Sequence, residues 1–338
     1  MIKPIVKPLT ATLSLLTLCI ATIAYACQVP VFRYALERWP ADNYEIVVLH
    51  DRPLTAADEI RVGKLREWDR QSPQSSNFQF RSVQVGQPDD KRGMTQRDRE
   101  IWKAHGKPKS PILAVLYPST AAEVPDRLIH AGPLRDLPLD SVVDSPLRRT
   151  IADRLISGES AVWIFVPSGN QEQDAAAYKR LTDQVAINEA TLELPEQEEI
   201  VEEEAILEQV EIELRLDFSI VTLNRDDPKE QFLLKMLLGS EEDLNSIQQP
   251  MAFPVLGRGR VLYALVGKGI NEETIGLASR FMIGPCSCQV KNQNPGFDLL
   301  MTYPWDEKIG AAKLSDPIPE VTGEPVLLTI PPGKSARP

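Results

Sequence analysis

Cysteine is the residue type in this chain with the most chemistry to offer. The stretch Gly284-Pro285-Cys286-Ser287-Cys288 sets two thiols two residues apart beside a proline, and Cys27 stands far upstream. Two cysteines at that spacing can close a small disulfide, which the short loop strains and makes easy to reduce. They can also exchange with another disulfide, ligate a soft ion such as Cu(I) together with further sulfur ligands, or remain as buried free thiols. In an oxidising compartment a structural disulfide is the plainest reading. The disulfide or redox candidates are therefore Cys27, Cys286 and Cys288, and the metal candidates, with copper as the cofactor, are Cys286 and Cys288.

The first residues bear on the compartment. Lys3 and Lys7 precede a run from Leu9 to Ile23 that holds no charge, and Ala24-Tyr25-Ala26 follows it. A basic start, an apolar run and a small-x-small end are the parts of an export signal. The run is shorter than the roughly 20 apolar residues that span a bilayer. Residues 1–26 are therefore expected to be a bacterial signal peptide, with Cys27 the new amino terminus and a periplasmic or extracellular destination. Cleavage removes Cys19 and leaves an odd number of thiols. If Cys27 is free, it can bridge to Cys286 or Cys288, leaving one thiol over; closing so long a loop is worth about 4 to 5 kcal/mol on entropic grounds. A cysteine directly after the cleavage point also resembles a lipoprotein lipobox, although Ala24 and Tyr25 depart from its usual aliphatic and small residues. That resemblance implies a lipid on Cys27 as the chain's contact with a membrane, and stable anchoring takes more than one acyl chain.

Charge narrows the partners. Formal net charge is −11, and loss of the two leader lysines takes it to −13. No clustered basic patch offsets this, which argues against nucleic-acid binding. Familiar constellations are missing too. His50, His105 and His130 are widely spaced, with no second ligand at helical distance for zinc. There is no Walker loop, no dinucleotide glycine pattern in its strand context and no Gly-x-Ser-x-Gly elbow. Gly257-Arg258-Gly259-Arg260 reads as a turn first and an anion site second.

The elements that would position any chemistry follow an alternating order. Glu45–Leu49 reads as a strand, and a helix with a Thr55/Asp58 capping pattern follows, carrying Ile60, Leu65 and Trp68 on or near one face. Residues 78–85 alternate, apolar first at even and then at odd positions, which predicts a strand with a bulge or a shift of face. Thr95 and Asp98 cap a short helix ended by Gly106, and 110–117 is a third strand. After Gly158 the order repeats: strands at 161–166 and 218–223, helices at about 172–187 and from Pro228 to Gly239, then a hairpin of 252–256 with 260–266 and a last helix over 271–282. Between Leu192 and Leu214 lie ten glutamates and no lysine or arginine, a run that opposes compact packing.

Pro250 before a strand, the glycine-containing hairpin turn and a second strand ending in Val266-Gly267 resemble the end of a thioredoxin-like domain. Ser110-Pro111 before 112–117 resembles the same proline–strand junction. The resemblance implies an α/β fold of two tandem thioredoxin-like three-layer units, over 44–157 and 158–300, the second with an acidic insertion near 192–214. A segment at 27–43 precedes them and a proline-rich tail at 301–338 follows. Thioredoxin-like oxidoreductases carry Cys-x-x-Cys at the start of the first helix, where the helix dipole stabilises a thiolate. The matching positions here hold Asp51-Arg52-Pro53-Leu54 and Ser168-Gly169-Asn170-Gln171, so the resemblance implies units that are redox-inactive at those places. The whole chain, from its Cys27-to-Trp39 opening to its Gly284-to-Leu300 close, also resembles exported bacterial proteins without an assigned activity, which supplies no chemistry. The expectation is a non-catalytic scaffold or binding module for another envelope protein; the alternative is thiol exchange or copper handling through Cys286 and Cys288.

Overall fold

A computed structural model describes residues 29–71, 76–86, 94–106, 108–195, 212–285, 291 and 296–310. Two mixed sheets organise it. In the first, β1 (Tyr44–His50) lies parallel to β2 (Phe78–Gln84) and antiparallel to β3 (Ile112–Leu116), which pairs in turn with β4 (Leu128–Pro133), giving the order β2-β1-β3-β4. In the second, β5 (Ala161–Val166) lies parallel to β6 (Phe218–Thr222) and antiparallel to β7 (Met251–Leu256), with β8 (Arg260–Val261) and β9 (Leu265–Val266) each pairing with β7. The two sheets thus share one order and one set of strand directions. Each parallel pair is joined by a long helix, α2 (Ala56–Gln71) in the first and α6 (Gln171–Thr191) in the second, because parallel neighbours need a crossover connection.

The strands are apolar on both faces because both faces are covered. Ile46, Val48, Leu113 and Val115 point one way, while Val47, Leu49, Ile112 and Ala114 point the other, against Ile101 of α3 (Gln96–Ala104). This double cover explains the pattern that predicted a bulge in 78–85. Phe78 and Phe80 fill one core and Val83 the other, while the pairing with β1 runs unbroken from Phe78 to Gln84. In α2 the buried residues are Val62 and Leu65; Trp68 is half-buried and Ile60 stands out at 76 % exposure.

The largest core belongs to both sheets. Ile46, Val48, Phe78 and Val115 of the first join Val162, Ile164, Phe253 and Val255 of the second in one cluster. Between them lie α4 (Leu139–Val143), α5 (Pro146–Ile156) and α7 (Gln231–Leu238), whose six apolar residues Phe232, Leu233, Leu234, Met236, Leu237 and Leu238 are all buried. The middle helix layer is thus common to both sheets. The outer face of the second sheet is closed by α6, by α8 (Glu272–Ile283) and by α1 (Val31–Arg38).

The segments expected to flank the units are also built in. Helix α1, at the start of the chain, packs on the second sheet through Val31, Phe32 and Ala35. The Gly257-Arg258-Gly259 turn receives it: Arg258 donates to Leu36 O (Nε, 2.7 Å) and Glu37 O (Nη2, 3.2 Å) and pairs with Asp306 at 2.8 Å. Arg260 pairs with buried Asp298 and lies 6.0 Å over the Trp39 ring. Both arginines of the sequence-level anion candidate are therefore committed to internal partners. Gly257 has φ +57, and a Cβ there would stand 2.6 Å from Ala35 Cβ. Gly257→Ala is expected to lower stability by about 2 to 4 kcal/mol, from left-handed strain and displacement of α1, read as the shift in urea midpoint. At the other end, β10 (Phe297–Asp298) pairs with β8, and α9 (Trp305–Ile309) buries Trp305 and Ile309, so the packed body continues to residue 310 where a tail from 301 was expected.

The Thr95/Asp98 capping box forms as the sequence predicts. Asp98 is buried and takes a fork from Arg81 at 2.6 and 2.8 Å. Burial pushes its carboxyl up, but the hydrogen bonds from Arg81 and Thr95 outweigh this and hold it below the usual aspartate range. A depressed folded-state pKa contributes stability above the unfolded value, about 4, and loses it as pH falls through the folded value. Asp98→Asn is accordingly expected to cost about 2 kcal/mol at pH 7 and to shrink that difference near pH 3, as urea midpoints at the two pH values would measure.

Candidate functional site

In open α/β sheets, ligands favour the carboxyl ends of parallel strands. In the second sheet that end opens into a cleft of about 560 Å³ between the β5–α6 and β6–α7 loops, lined by Pro167, Ser168, Gly169, Asn224, Arg225 and the Asp226/Asp227 pair. Its walls are fixed locally. Asn170 caps α6 by accepting from Gln173 N at 3.1 Å. Asp174, one turn in, accepts from Ser168 N and Oγ, both at 2.7 Å, and from Gly169 N at 2.9 Å. The loop amides and hydroxyl at this helix start are thus already turned onto a carboxylate of the same helix. Opposite, Arg225 Nε donates to Pro167 O at 2.8 Å, while its Nη2 is buried with no hydrogen-bond partner among the described residues. Asp226 and Asp227 stand beside this one cation, so acids outnumber bases in the lining. The cleft can hold a small polar group, but its Ser168 is bound to a carboxylate with no imidazole in the lining to activate it.

At the matching end of the first sheet, Asp51-Arg52-Pro53 is exposed and leads into α2 through Thr55, whose hydroxyl bonds Asp58 as the capping pattern predicts. His50 closes β1 there. Its Nδ1 lies 2.7 Å from Arg52 O and its Nε2 lies 3.3 Å from Ser82 Oγ. Nδ1 donating to the carbonyl leaves Nε2 to accept from the serine, which is the order of a nucleophile, a base and an orienting acceptor. Neither His50 nor Ser82 lines the cleft of the second sheet. The geometry of the pair serves equally to cap the strand end.

The other histidines lie apart. His105 caps α3, with Nδ1 2.9 Å from Ile101 O. His130, on β4, is pulled down to about 4, first by burial and then by Lys235 and His105, so it is neutral at physiological pH. Among the described residues no group of three His, Cys, Asp or Glu side chains is placed to hold a metal. No helix among them is long and apolar enough to cross a membrane.

Cys27, Cys286 and Cys288, the residues singled out in the sequence, lie outside the described residues, as does most of the acidic stretch near 192–214. Their described neighbours do meet. Pro30 and Pro285 form an antiparallel bridge, and Val31 N donates to Gly284 O at 3.0 Å. What the sequence did not single out is Asp174, which holds the Ser168–Gly169 loop, and Arg225, which lines the cleft. The Asn170 cap was a usable signal for the first of these, whereas nothing local marks Arg225. Searches with the whole chain find no family model and no curated protein that match it.

Proposed function

We propose that this chain is an exported, non-catalytic scaffold or binding protein of the bacterial envelope, built from two thioredoxin-like units. Support for two such units comes from the shared strand order, the helix crossover in each parallel pair and the antiparallel third and fourth strands. A further parallel is that the parallel edge strand of each sheet has an amide held by a carboxylate of its crossover helix, Phe80 N by Asp69 at 3.0 Å and Phe218 N by Glu189 at 2.7 Å. The observation that carries the non-catalytic reading is what stands at the two helix starts: exposed Asp51-Arg52-Pro53 in one, and Ser168-Gly169 bonded to Asp174 in the other. Export rests on the leader, and the partner is an envelope protein. Insulin reduction and nitrophenyl acetate hydrolysis by the mature chain test this together. Background rates in both are expected; turnover lost in Ser82→Ala or His50→Gln would overturn it. Intact mass of the soluble and membrane fractions tests cleavage after Ala26 and a lipid on Cys27.

A second reading is favoured by the Pro30–Pro285 bridge, which joins described residues that lie close in sequence to Cys27 and Cys286. In it Cys286 and Cys288 pass two electrons and two protons to a partner disulfide and become a disulfide themselves, or they hold Cu(I). Thiol labelling with mass mapping decides. Exchange with a glutathione buffer, or a stoichiometric copper signal lost in Cys286→Ser, would establish this reading against the scaffold; an inert disulfide would remove it.

A further inference from the structure

The segment 296–310 comes last in the described chain, yet it is fastened to both sheets and to the helices between them. On the second sheet, Phe297 and Asp298 pair with Val261 and Arg260, and Leu299 N donates to Gly259 O at 2.9 Å. On the first, the Asn77 amide group donates to Leu299 O at 3.0 Å and accepts from Met301 N at 2.8 Å, while Tyr44 OH donates to Asp298 O at 2.6 Å. Ser76 and Thr302 add a bridge. In the middle layer, Arg148 donates to Leu300 O at 2.6 Å, and Tyr303 OH bonds Asp153 at 2.9 Å. Leu299, Leu300, Met301, Tyr303, Trp305 and Ile309 all enter the shared core.

We propose that this strap is the coupling element that makes the two sheets open and close as one cooperative body. Its release cannot be local, because lifting it strands polar groups on both sides. Asn77 and Arg148 are buried and would lose partners on the first sheet and in the helix layer, and the β8 edge would lose its partner strand. The bonds from the strap to the first sheet join positions 222 to 254 residues apart, so they close long loops and reward docking only when both sheets are already formed.

Native-state hydrogen exchange of the mature chain in rising urea, read by mass spectrometry, tests this. Amides of β1 and β3, of β5 and β7, and of 297–303 are expected to merge into a single opening isotherm. In Asn77→Ala, protection is expected to fall by the same factor in both sheets, about tenfold or more. Strap amides that exchange through a separate opening while both sheets stay protected would overturn the proposal. So would a loss of protection in Asn77→Ala confined to the first sheet. If that variant does not fold, the wild-type urea series decides alone.

Discussion

Arg148→Ala is expected to lower the unfolding free energy by about 4 kcal/mol, enough to unfold a marginal domain near body temperature. Arg148 is buried and reaches Val142 O at 2.9 Å, Leu300 O at 2.6 Å and Ser141 O at 2.6 Å, with Nε on Ser145 Oγ at 3.0 Å. Burial pulls its guanidinium down to about 10, against the pull of Asp144 and Glu230, and it is still a cation at neutral pH. All four partners are neutral oxygens, so the charge is solvated by carbonyls where an ion pair is the usual arrangement. Alanine removes these donors from buried acceptors and leaves a cavity where the long side chain packed. Arg148→Met separates the two effects, since it fills most of the volume and supplies no donor. It is expected to retain more than half of the loss. Urea midpoints of both variants measure this, and a change of under about 1 kcal/mol in the alanine variant would show that the carbonyls find other donors.

Gly296→Ala should be as damaging by a different route. Gly296 has φ +99, and a Cβ on it would stand 1.9 Å from Val261 O and 2.9 Å from Leu262 Cα. Both contacts are backbone atoms of or beside β8, which cannot swing aside as a side-chain tip can. Strain of a left-handed alanine adds to an overlap that β10 can relieve only by leaving β8, for a total of about 3 to 5 kcal/mol. Gly63→Ala is the control: nothing lies within 4 Å of its Cβ position, and a small helix-stabilising gain is expected there. Equal effects at the two positions would mean that β10 is not held against β8 in solution.

Much of the fold was legible in particular residues. Apolar runs bounded by turn residues located β1, β2, β3, β5, β6 and β7, and the Thr55/Asp58 and Thr95/Asp98 caps located two helix starts, because these signals are local and their hydrogen bonds close within one turn. Strand β4, read from Leu128-Ile129-His130-Ala131-Gly132-Pro133, went unseen because its glycine and proline argue against a strand, and an edge position accommodates both. The 260–266 strand divides in the structure. Its first two residues pair with the end of β7 and its last two with the start, so one apolar run serves two separate pairings. At the candidate site, Ser168 to Gln171 were readable as a helix start, but Arg225 acquires meaning only beside Pro167, 58 residues away.

The sequence by itself determined the exposed chemistry and the repeated strand–helix order, since both follow from residue identity and local periodicity. It also determined that no thiol stands at either helix start. Only the tertiary structure decided that the two sheets share a helix layer, that Arg258 and Arg260 clasp α1, and that the segment after residue 296 straps the body together. Those facts depend on contacts between residues up to 256 apart, whose formation is set by the entropy of loop closure and the burial of polar groups, neither of which leaves a short-range pattern in the chain. For the cysteines, the sequence raised three thiols as candidates. The fold added that Pro30 and Pro285 are bridged, which makes the pairing of Cys27 with Cys286 or Cys288 a question for thiol mapping.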